Sequence, residues 1–205
     1  MIHDISPLVD ASIAVWPGDT PFSVEDMLRI EDGASVFLST IRLSCHTGAH
    51  ADAPSHYVAG APCIDEAPLE VFLGECVLID VSPKDHAIRP EDVAKKDLAP
   101  RVLLRTGAMA DRTVFPEPLT CLTTELIDHL AAKDVILIGL DSPSVDRFDS
   151  KDLPCHKALF EKRIANLESL ELQGVPEGRY ELIALPLKLK GRDASPVRAV
   201  LRTLE

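Results

Sequence analysis

The feature that most constrains the fold is a series of short apolar runs, four to nine residues long, rich in Val and Ile and bounded by Pro, Gly or Asp. Runs this short predict β-strands, because a helix needs about 10 residues or more to bury one face. The runs cover residues 13–16, 37–45, 76–81, 102–105, 135–140, 180–186 and 197–201. The chain is therefore expected to build its core around a sheet.

Three segments between these runs favour helices. The clearest is 123–132, where Leu126, Ile127 and Leu130 form an apolar stripe and Thr124 is a plausible N-cap. The other two are 90–96 and 154–163. Because the strand runs are consecutive at first and alternate with helices later, they predict a mixed α/β fold and not a repeating βαβ array. The length of 205 residues and the 46% hydrophobic content fit a single domain, residues 1–205.

Charge and cysteine content exclude several classes of partner. Lys and Arg total 21 against 33 Asp and Glu, which gives a net charge of -12 and argues against nucleic acid or an anionic membrane face. No apolar stretch approaches the ~18 residues that span a bilayer. The N-terminus lacks the features of a signal peptide, and the five cysteines form no Cys-x-x-Cys pair. These features predict a cytoplasmic protein with reduced thiols.

One segment of eleven residues concentrates side chains that bind metals: His46-Thr-Gly-Ala-His50-Ala-Asp52-Ala-Pro-Ser-His56. A helix would point Asp52 well away from His46. In an extended chain, His46, His50 and Asp52 share one face, although the first two α-carbons would be about 13 Å apart. We therefore expect a bend at Gly48, and we expect His56 to leave the sheet beyond Pro54.

Two other chemistries are weighed against this site. The residues His50-Ala-Asp52 also fit an iron site with two histidine ligands and one carboxylate ligand, in which His156 would be the second histidine. Such a site needs an arginine to anchor an oxoacid substrate, and Arg198 is the only candidate. A serine nucleophile on a Gly-x-Ser-x-Gly turn is excluded, because no pair of glycines encloses that pentapeptide. A structural metal is a third alternative, but closed structural sites are usually rich in cysteine.

The whole chain resembles the bacterial kynurenine formamidases, or arylformamidases, a family within the metal-dependent cyclase-like hydrolases. The resemblance is carried by the segment of residues 46–56 and by four further stretches. These are Trp16-Pro-Gly-Asp-Thr-Pro, Gly139-Leu-Asp-Ser-Pro-Ser-Val-Asp146, Tyr180-Glu-Leu-Ile-Ala-Leu-Pro-Leu and Asp193-Ala-Ser-Pro-Val-Arg-Ala-Val-Leu-Arg202. The resemblance implies a barrel-like core of mixed β-sheet with flanking helices, of the swivelling β/β/α type, and a homodimer.

The resemblance also implies two zinc ions per subunit, with manganese as the alternative metal. One ion would be bound by His46 and His50 and the other by His156, while Asp52 and Glu168 would bridge both. Since His156 and Glu168 are twelve residues apart, about 18 Å along a helix, the chain must turn between them, and residues 163–166 are a plausible place.

The implied reaction is hydrolysis of N-formyl-L-kynurenine to L-kynurenine and formate, in tryptophan degradation by the kynurenine pathway. A zinc-bound hydroxide would attack the formyl carbon, His56 would be the acid/base, and Trp16 would contact the substrate. The second hypothesis is a related amide hydrolase of a cyclic substrate such as isatin. Asp141 and Asp146, which flank a Ser-Pro-Ser turn, are interpreted as turn-forming residues.

Overall fold

The computed structural model describes residues 1–204, which form one α/β domain built on a mixed sheet curled into a half-barrel. Its strands are β1 (Ile2–Asp4), β2 (Ser23–Leu28), β3 (Leu38–Arg42), β4 (His50–Asp52), β5 (Leu73–Asp80), β6 (Ala87–Ile88), β7 (Arg101–Arg105), β8 (Cys121–Leu122), β9 (Leu137–Leu140), β10 (Ala165–Glu168), β11 (Gly178–Ile183), β12 (Ala194–Pro196) and β13 (Val200–Thr203). Its helices are α1 (Pro90–Val93), α2 (Thr124–Ala131) and α3 (Pro154–Lys162). The mixed α/β fold expected from the sequence is confirmed.

Nine strands form the main sheet, in the order β1-β13-β11-β5-β7-β9-β10-β4-β12. The four central strands β5, β7, β9 and β10 are parallel, and the strands on either side are antiparallel. Parallel strands are buried on both faces, which explains the continuous apolar runs in β5, β7 and β9. The antiparallel strand β4, near one end of the sheet, contains His50 and Asp52.

Each face of the central sheet has its own hydrophobic core. On one face Val102, Leu104 and Ile138 pack against Leu126 and other residues of helices α2 and α3. The alternate residues of the same strands, including Leu103 and Leu137, form the second core together with residues from both ends of the sheet, such as Leu201 of β13 and Ala51 of β4. Because one core joins both ends, the sheet must curl.

Six of the seven predicted strand runs overlap a strand, and the run at 13–16 does not. That segment is a loop with Ile13 buried, and it is held to a second loop by a hydrogen bond from the backbone N–H of Ala14 to the carbonyl of Arg112. Pro17 and Gly18 follow immediately, and such residues favour turns over strand pairing. The predicted runs overlap none of the strands β1, β6, β8, β10 and β12, which have two to four residues, nor β2, which has six.

Helix α2 lies within the predicted segment 123–132, but its N-cap is one residue earlier than predicted. Its N-cap is Thr123, whose extended backbone precedes the helix and whose hydroxyl accepts a hydrogen bond from the N–H of Leu126 at 3.3 Å. Thr124, the predicted N-cap, is the first helical residue. The helix predicted at 90–96 is also shorter, ending at Val93.

Strands β2 and β3 form a hairpin separate from the main sheet. Every residue of both strands is exposed. The hairpin and the segment between its strands nevertheless carry eight large exposed apolar side chains: Val24, Met27, Leu28, Ile30, Val36, Phe37, Leu38 and Ile41. Across the described residues, no helix combines the length and apolar character that a membrane crossing requires.

The N-cap assignment can be tested by removing each threonine hydroxyl in turn. We expect Thr123→Ala to lower the free energy of unfolding by about 1 kcal/mol, because the N–H of Leu126 loses its partner. Thr124→Ala is the matched control and should change it by less than about 0.5 kcal/mol. Urea unfolding followed by circular dichroism measures both, and a larger loss at Thr124 would contradict the assignment.

Candidate metal centre

Sheet pairing brings together side chains that are far apart in the sequence. Strand β4 lies between β10 and β12, and Glu168 at the end of β10 is directly opposite His50. Helix α3 ends at Lys162, and Arg163 then adopts a left-handed conformation that returns the chain into β10. The predicted turn at 163–166 is confirmed, and it allows His156 on α3 and Glu168 on β10 to reach one site.

The chain bends at Gly48, as predicted, but the bend is sharper than a bulge. Residues 45–49 form a turn, so β4 contains only His50–Asp52, and the prediction that His46 lies on an extended strand is wrong. Gly48 has a φ of +65°, and a Cβ there would lie 3.3 Å from a methyl group of Val9. The turn presents the carbonyl of Gly48 to His50, whose Nδ1–H donates to it at 2.8 Å.

A cluster is formed by the side chains of His46, His50, Asp52, His156 and Glu168. The two carboxylates lie at its centre, and each of their oxygens lies near at least one histidine nitrogen. Asp52 Oδ1 lies 3.1 Å from Nδ1 of His46 and 3.5 Å from Nε2 of His50, which is also 3.5 Å from Glu168 Oε2. The other oxygens, Asp52 Oδ2 and Glu168 Oε1, each lie 3.5 Å from Nε2 of His156. Ligands of a tetrahedral zinc ion at about 2.1 Å are about 3.4 Å apart. The spacing of these nitrogen and oxygen atoms is therefore that expected around a bound metal ion.

Two buried polar atoms of the cluster indicate whether a cation fits between its side chains. Nε2 of His50 has no hydrogen-bond partner within residues 1–204, and Oδ1 of Asp52 has one only when Nδ1 of His46, 3.1 Å away, carries a proton. Because Nδ1 of His50 carries the proton donated to Gly48, its Nε2 presents a lone pair. A lone pair and a carboxylate oxygen that face each other in a buried site are mutually unfavourable without a cation between them. The donor set of imidazole and carboxylate groups fits zinc.

Asp146 and Asp141 are not simple turn-forming residues, and that interpretation is wrong. Asp146 is buried and accepts hydrogen bonds from Nδ1–H of His156 at 2.7 Å and from the backbone N–H groups of Cys155 and His156. It thereby caps the start of α3 and turns Nε2 of His156 towards the carboxylates. Asp141 accepts from the N–H and hydroxyl of Thr106 and from a neighbouring backbone N–H.

Asn166, which sequence reasoning missed, holds the two carboxylates in place. Its side-chain amide donates to Asp52 Oδ2 at 2.9 Å and to Glu168 Oε1 at 3.0 Å. Glu168 Oε1 also accepts from the backbone N–H of Val145. The only signal in the sequence is the spacing of two residues between Asn166 and Glu168, which puts both on one face of a strand.

His56 lies beside the cluster but outside the paired carboxylates. It ends a 3-10 turn, Pro54–His56, its ring centroid is 4.3 Å from that of His46, and 35% of its side chain is exposed. Burial lowers the pKa of His56 despite the opposing charge of Asp52, so the ring is neutral at neutral pH. Asp193, which was also missed, has Oδ2 at 2.9 Å from Nε2 of His46 and 3.5 Å from Nδ1 of His56.

The cluster opens into a cavity of about 330 Å³ whose lining includes His46, His50, His56, His156 and Glu168. Trp16 and Phe115 also line this cavity. The Trp16 ring lies edge-on to Phe115, at 5.3 Å between centroids, and stacks on Phe148 at 5.1 Å. The predicted substrate contact of Trp16 remains a prediction, but the residue lies where such a contact is feasible.

The arginine required by the iron alternative lies elsewhere. Arg198 pairs with Asp4 at the surface, and 77% of its side chain is exposed. Of the residues between 1 and 204 that line the cavity, none is an arginine. The cluster also contains two buried carboxylates where that chemistry uses one.

Comparisons with known proteins agree with this geometry. Residues 3–147 match the family described as putative cyclase. A potential metal-dependent hydrolase with cyclase activity is 30% identical, with a TM-score of 0.84 over 98% of this chain and 96% of that one. A predicted metal-dependent hydrolase from Bacillus stearothermophilus is 29% identical, with a TM-score of 0.83 over 98% and 97% of the two chains.

Isatin hydrolase A from Labrenzia aggregata, bound to benzyl benzoate, is 26% identical, with a TM-score of 0.85 over 100% of this chain and 94% of that one. The family match covers well over half of the chain, and these similarities extend over nearly all of it. The chain belongs to the cyclase family and has the fold of its metal-dependent hydrolases.

Proposed function

We propose that this protein hydrolyses N-formyl-L-kynurenine to L-kynurenine and formate, with zinc bound by His46, His50 and His156 and by the shared carboxylates of Asp52 and Glu168. When bound, zinc polarises an amide oxygen and lowers the pKa of water from 15.7 towards about 7, which provides a nucleophile at neutral pH. The observation that carries the proposal is that this cluster and two aromatic side chains, Trp16 and Phe115, line one cavity.

The shape of the cavity suits an aryl amide. Trp16 and Phe115 line the same cavity as the cluster, so an aromatic amine bound there can lie against their rings while its amide carbon approaches the carboxylates and imidazoles. The resemblance to kynurenine formamidases supports the formylated substrate. Its C-terminal stretch provides β12, which pairs with β4, and provides Asp193 beside the histidines.

His56 is placed for proton transfer. As a neutral imidazole at the cavity wall, it accepts a proton from the attacking water. A C–O bond forms at the formyl carbon, and the C–N bond then breaks. His56 delivers the proton to the departing aryl nitrogen, which is a poor leaving group unless it is protonated. Formate and the free aromatic amine result.

A cyclic aryl amide is the second candidate, and the similarity to an isatin hydrolase favours it. Isatin is also an amide of an aromatic amine with a carbonyl group adjacent to the ring. The metal cluster and His56 would act on both substrates in the same way, so only the walls of the cavity can distinguish a linear amide from a cyclic one.

Reconstitution with zinc tests the proposed substrate. We expect metal-depleted protein to release kynurenine from N-formylkynurenine only after zinc is added, because the nucleophile depends on the bound cation. Isatin and manganese are assayed in parallel, with absorbance of the free aromatic amine as the measurement. Turnover of isatin without turnover of N-formylkynurenine would replace the first candidate by the second.

Zinc binding should also release protons. Burial opposes the charged form of both rings, but hydrogen bonds with Asp52 and Asp193 raise the pKa of His46 to about 9, and bonds with Asp146, Asp52 and Glu168 raise that of His156 to about 12. In the metal-free protein both rings are therefore protonated at pH 7. Because zinc needs the neutral rings, its apparent affinity should fall as the pH falls below about 12, where His156 gains a proton, and more steeply below about 9, where His46 does as well.

Calorimetry at pH 7 in buffers of different ionisation enthalpy measures this release, and we expect about two protons per protein chain. His156→Asn should reduce the release to about one proton, since only His46 then titrates. Zinc binding with no proton release would show that the histidines are neutral before the metal binds.

We also propose that the protein is a homodimer in which the β2–β3 hairpin packs on a second copy of the chain. A two-stranded ribbon has little stability of its own, and large exposed apolar patches mark interaction surfaces. The hairpin follows Asp19 and precedes His46, both of which line the cavity. The second copy would therefore lie near the mouth of the cavity.

Charges on the hairpin should separate the two copies. Val24 and Ile41 are cross-strand partners, and both are exposed, so Val24→Asp with Ile41→Asp should leave the chain folded. We expect light scattering to give twice the 22.3 kDa chain mass for the native protein and the monomer mass for this variant. Leu69→Asp, at an apolar residue exposed elsewhere, is the matched control and should remain dimeric. A monomeric native protein would contradict the proposal.

A further inference from the structure

Asp193 is a charged residue beside His46 and His56 that has no role in the proposed reaction as described above. It immediately precedes β12, and its carbonyl accepts a hydrogen bond from the N–H of Ala53 at 2.8 Å. The preceding loop is fixed by two further bonds, from the N–H of Ile64 to the carbonyl of Arg192 and from the N–H of Gly191 to the side chain of Asp65. The backbone of Asp193 is therefore held beside β4.

A single oxygen of Asp193 contacts two imidazoles. Oδ2 lies 2.9 Å from Nε2 of His46 and 3.5 Å from Nδ1 of His56, and the two ring centroids are 4.3 Å apart. The Asp193 side chain is 47% exposed, so its charge is partly hydrated and can persist at the rim of the site.

The contact with His46 completes a pattern shared by all three proposed histidine ligands. Each donates the proton of one ring nitrogen to a fixed acceptor: His50 to the carbonyl of Gly48, His156 to Asp146 and His46 to Asp193. Such partners fix the tautomer and orientation of histidines that bind metals. When a metal replaces the second proton of His46, the hydrogen bond to Asp193 keeps the remaining proton on Nε2, so Nδ1, on the side of Asp52, is the nitrogen that binds the metal.

The contact with His56 has a different consequence. A carboxylate near Nδ1 favours the tautomer that carries its proton there, which leaves Nε2 free to accept a proton. The same negative charge stabilises the imidazolium that forms once His56 has accepted one. No atom of the substrate needs to contact Asp193 for either effect.

We propose that Asp193 is a positioning residue that fixes both the metal-binding nitrogen of His46 and the tautomer of His56 through one carboxylate oxygen. The inference rests on the proposed function, because it takes His46 as a ligand and His56 as the proton carrier.

A double-mutant cycle in zinc-saturated protein tests the link to His56. Asp193→Asn should lower kcat by about 10-fold to 100-fold and change KM by less than about 2-fold, since it acts on a group used in the transition state. In a His56→Ala background the same substitution should have almost no further effect, because the group on which it acts is gone. An equal loss of kcat in both backgrounds would overturn the inference.

Two readouts need no substrate, so they stand even if the proposed reaction is wrong. Competition with a chelator should show zinc affinity about 10-fold weaker in Asp193→Asn. Long-range 1H–15N spectra of zinc-loaded protein should show His56 as the Nδ1–H tautomer, and the variant should show a mixture. Unchanged zinc affinity or an unchanged His56 tautomer would overturn the inference.

Asp65→Asn is the matched control. Asp65 braces the same loop through Gly191 and contacts no histidine, and asparagine keeps an oxygen that can accept that bond. We expect this variant to retain kcat, zinc affinity and the His56 tautomer. Loss of all three in Asp65→Asn would show that the loop as a whole is responsible, and would overturn the specific role of Asp193.

Discussion

The close approach of two buried carboxylates is the constraint on which the rest of the site depends. Asp52 and Glu168 are both almost fully buried, and burial raises the pKa of such groups unless positive charge lies close by. Here contacts with the surrounding histidines outweigh burial and lower the pKa of both carboxyls. A buried carboxylate that loses its partner costs about 3–5 kcal/mol. The pair therefore requires cations, which are protons on the histidines or metal ions in their place.

The sheet determines where those carboxylates lie. Glu168 ends β10, His50 and Asp52 belong to β4, and Asp193 immediately precedes β12. Because these three strands are neighbours, the four residues lie side by side at one end of the sheet. Asn166 then fixes the spacing between the two carboxylates with one amide group. Because this placement depends on backbone hydrogen bonds between strands, residues more than a hundred positions apart in the sequence are held to within a few ångströms.

Part of this arrangement could be predicted from the periodicity and spacing of residues in the sequence. The central strands β5, β7 and β9 were predictable because they contain continuous apolar runs, and the cluster could be suspected because four side chains of metal-binding type lie within eleven residues. Glu168 could be placed only by resemblance, since its position depends on pairing with a strand over a hundred residues away. Asn166 and Asp193 were beyond local reasoning for the same reason, and Asp146 was missed although its partners Cys155 and His156 are only nine and ten residues away. Their function is to hold other side chains, and no local pattern marks that role.

In the proposed function, substrate selection and the reaction depend on different parts of the molecule. His50, Asp52 and Glu168 lie on strands and His156 on a helix, all packed on the two hydrophobic cores, and His46 lies on the turn that precedes β4. The aromatic side chains that line the same cavity come from loops, with Trp16 before the hairpin and Phe115 on the loop between β7 and β8. In the proposed reaction the cluster acts on the amide carbon, and these loops contact the aromatic amine. The proposal therefore assigns the choice between a cyclic and a linear amide to the loops and not to the cluster.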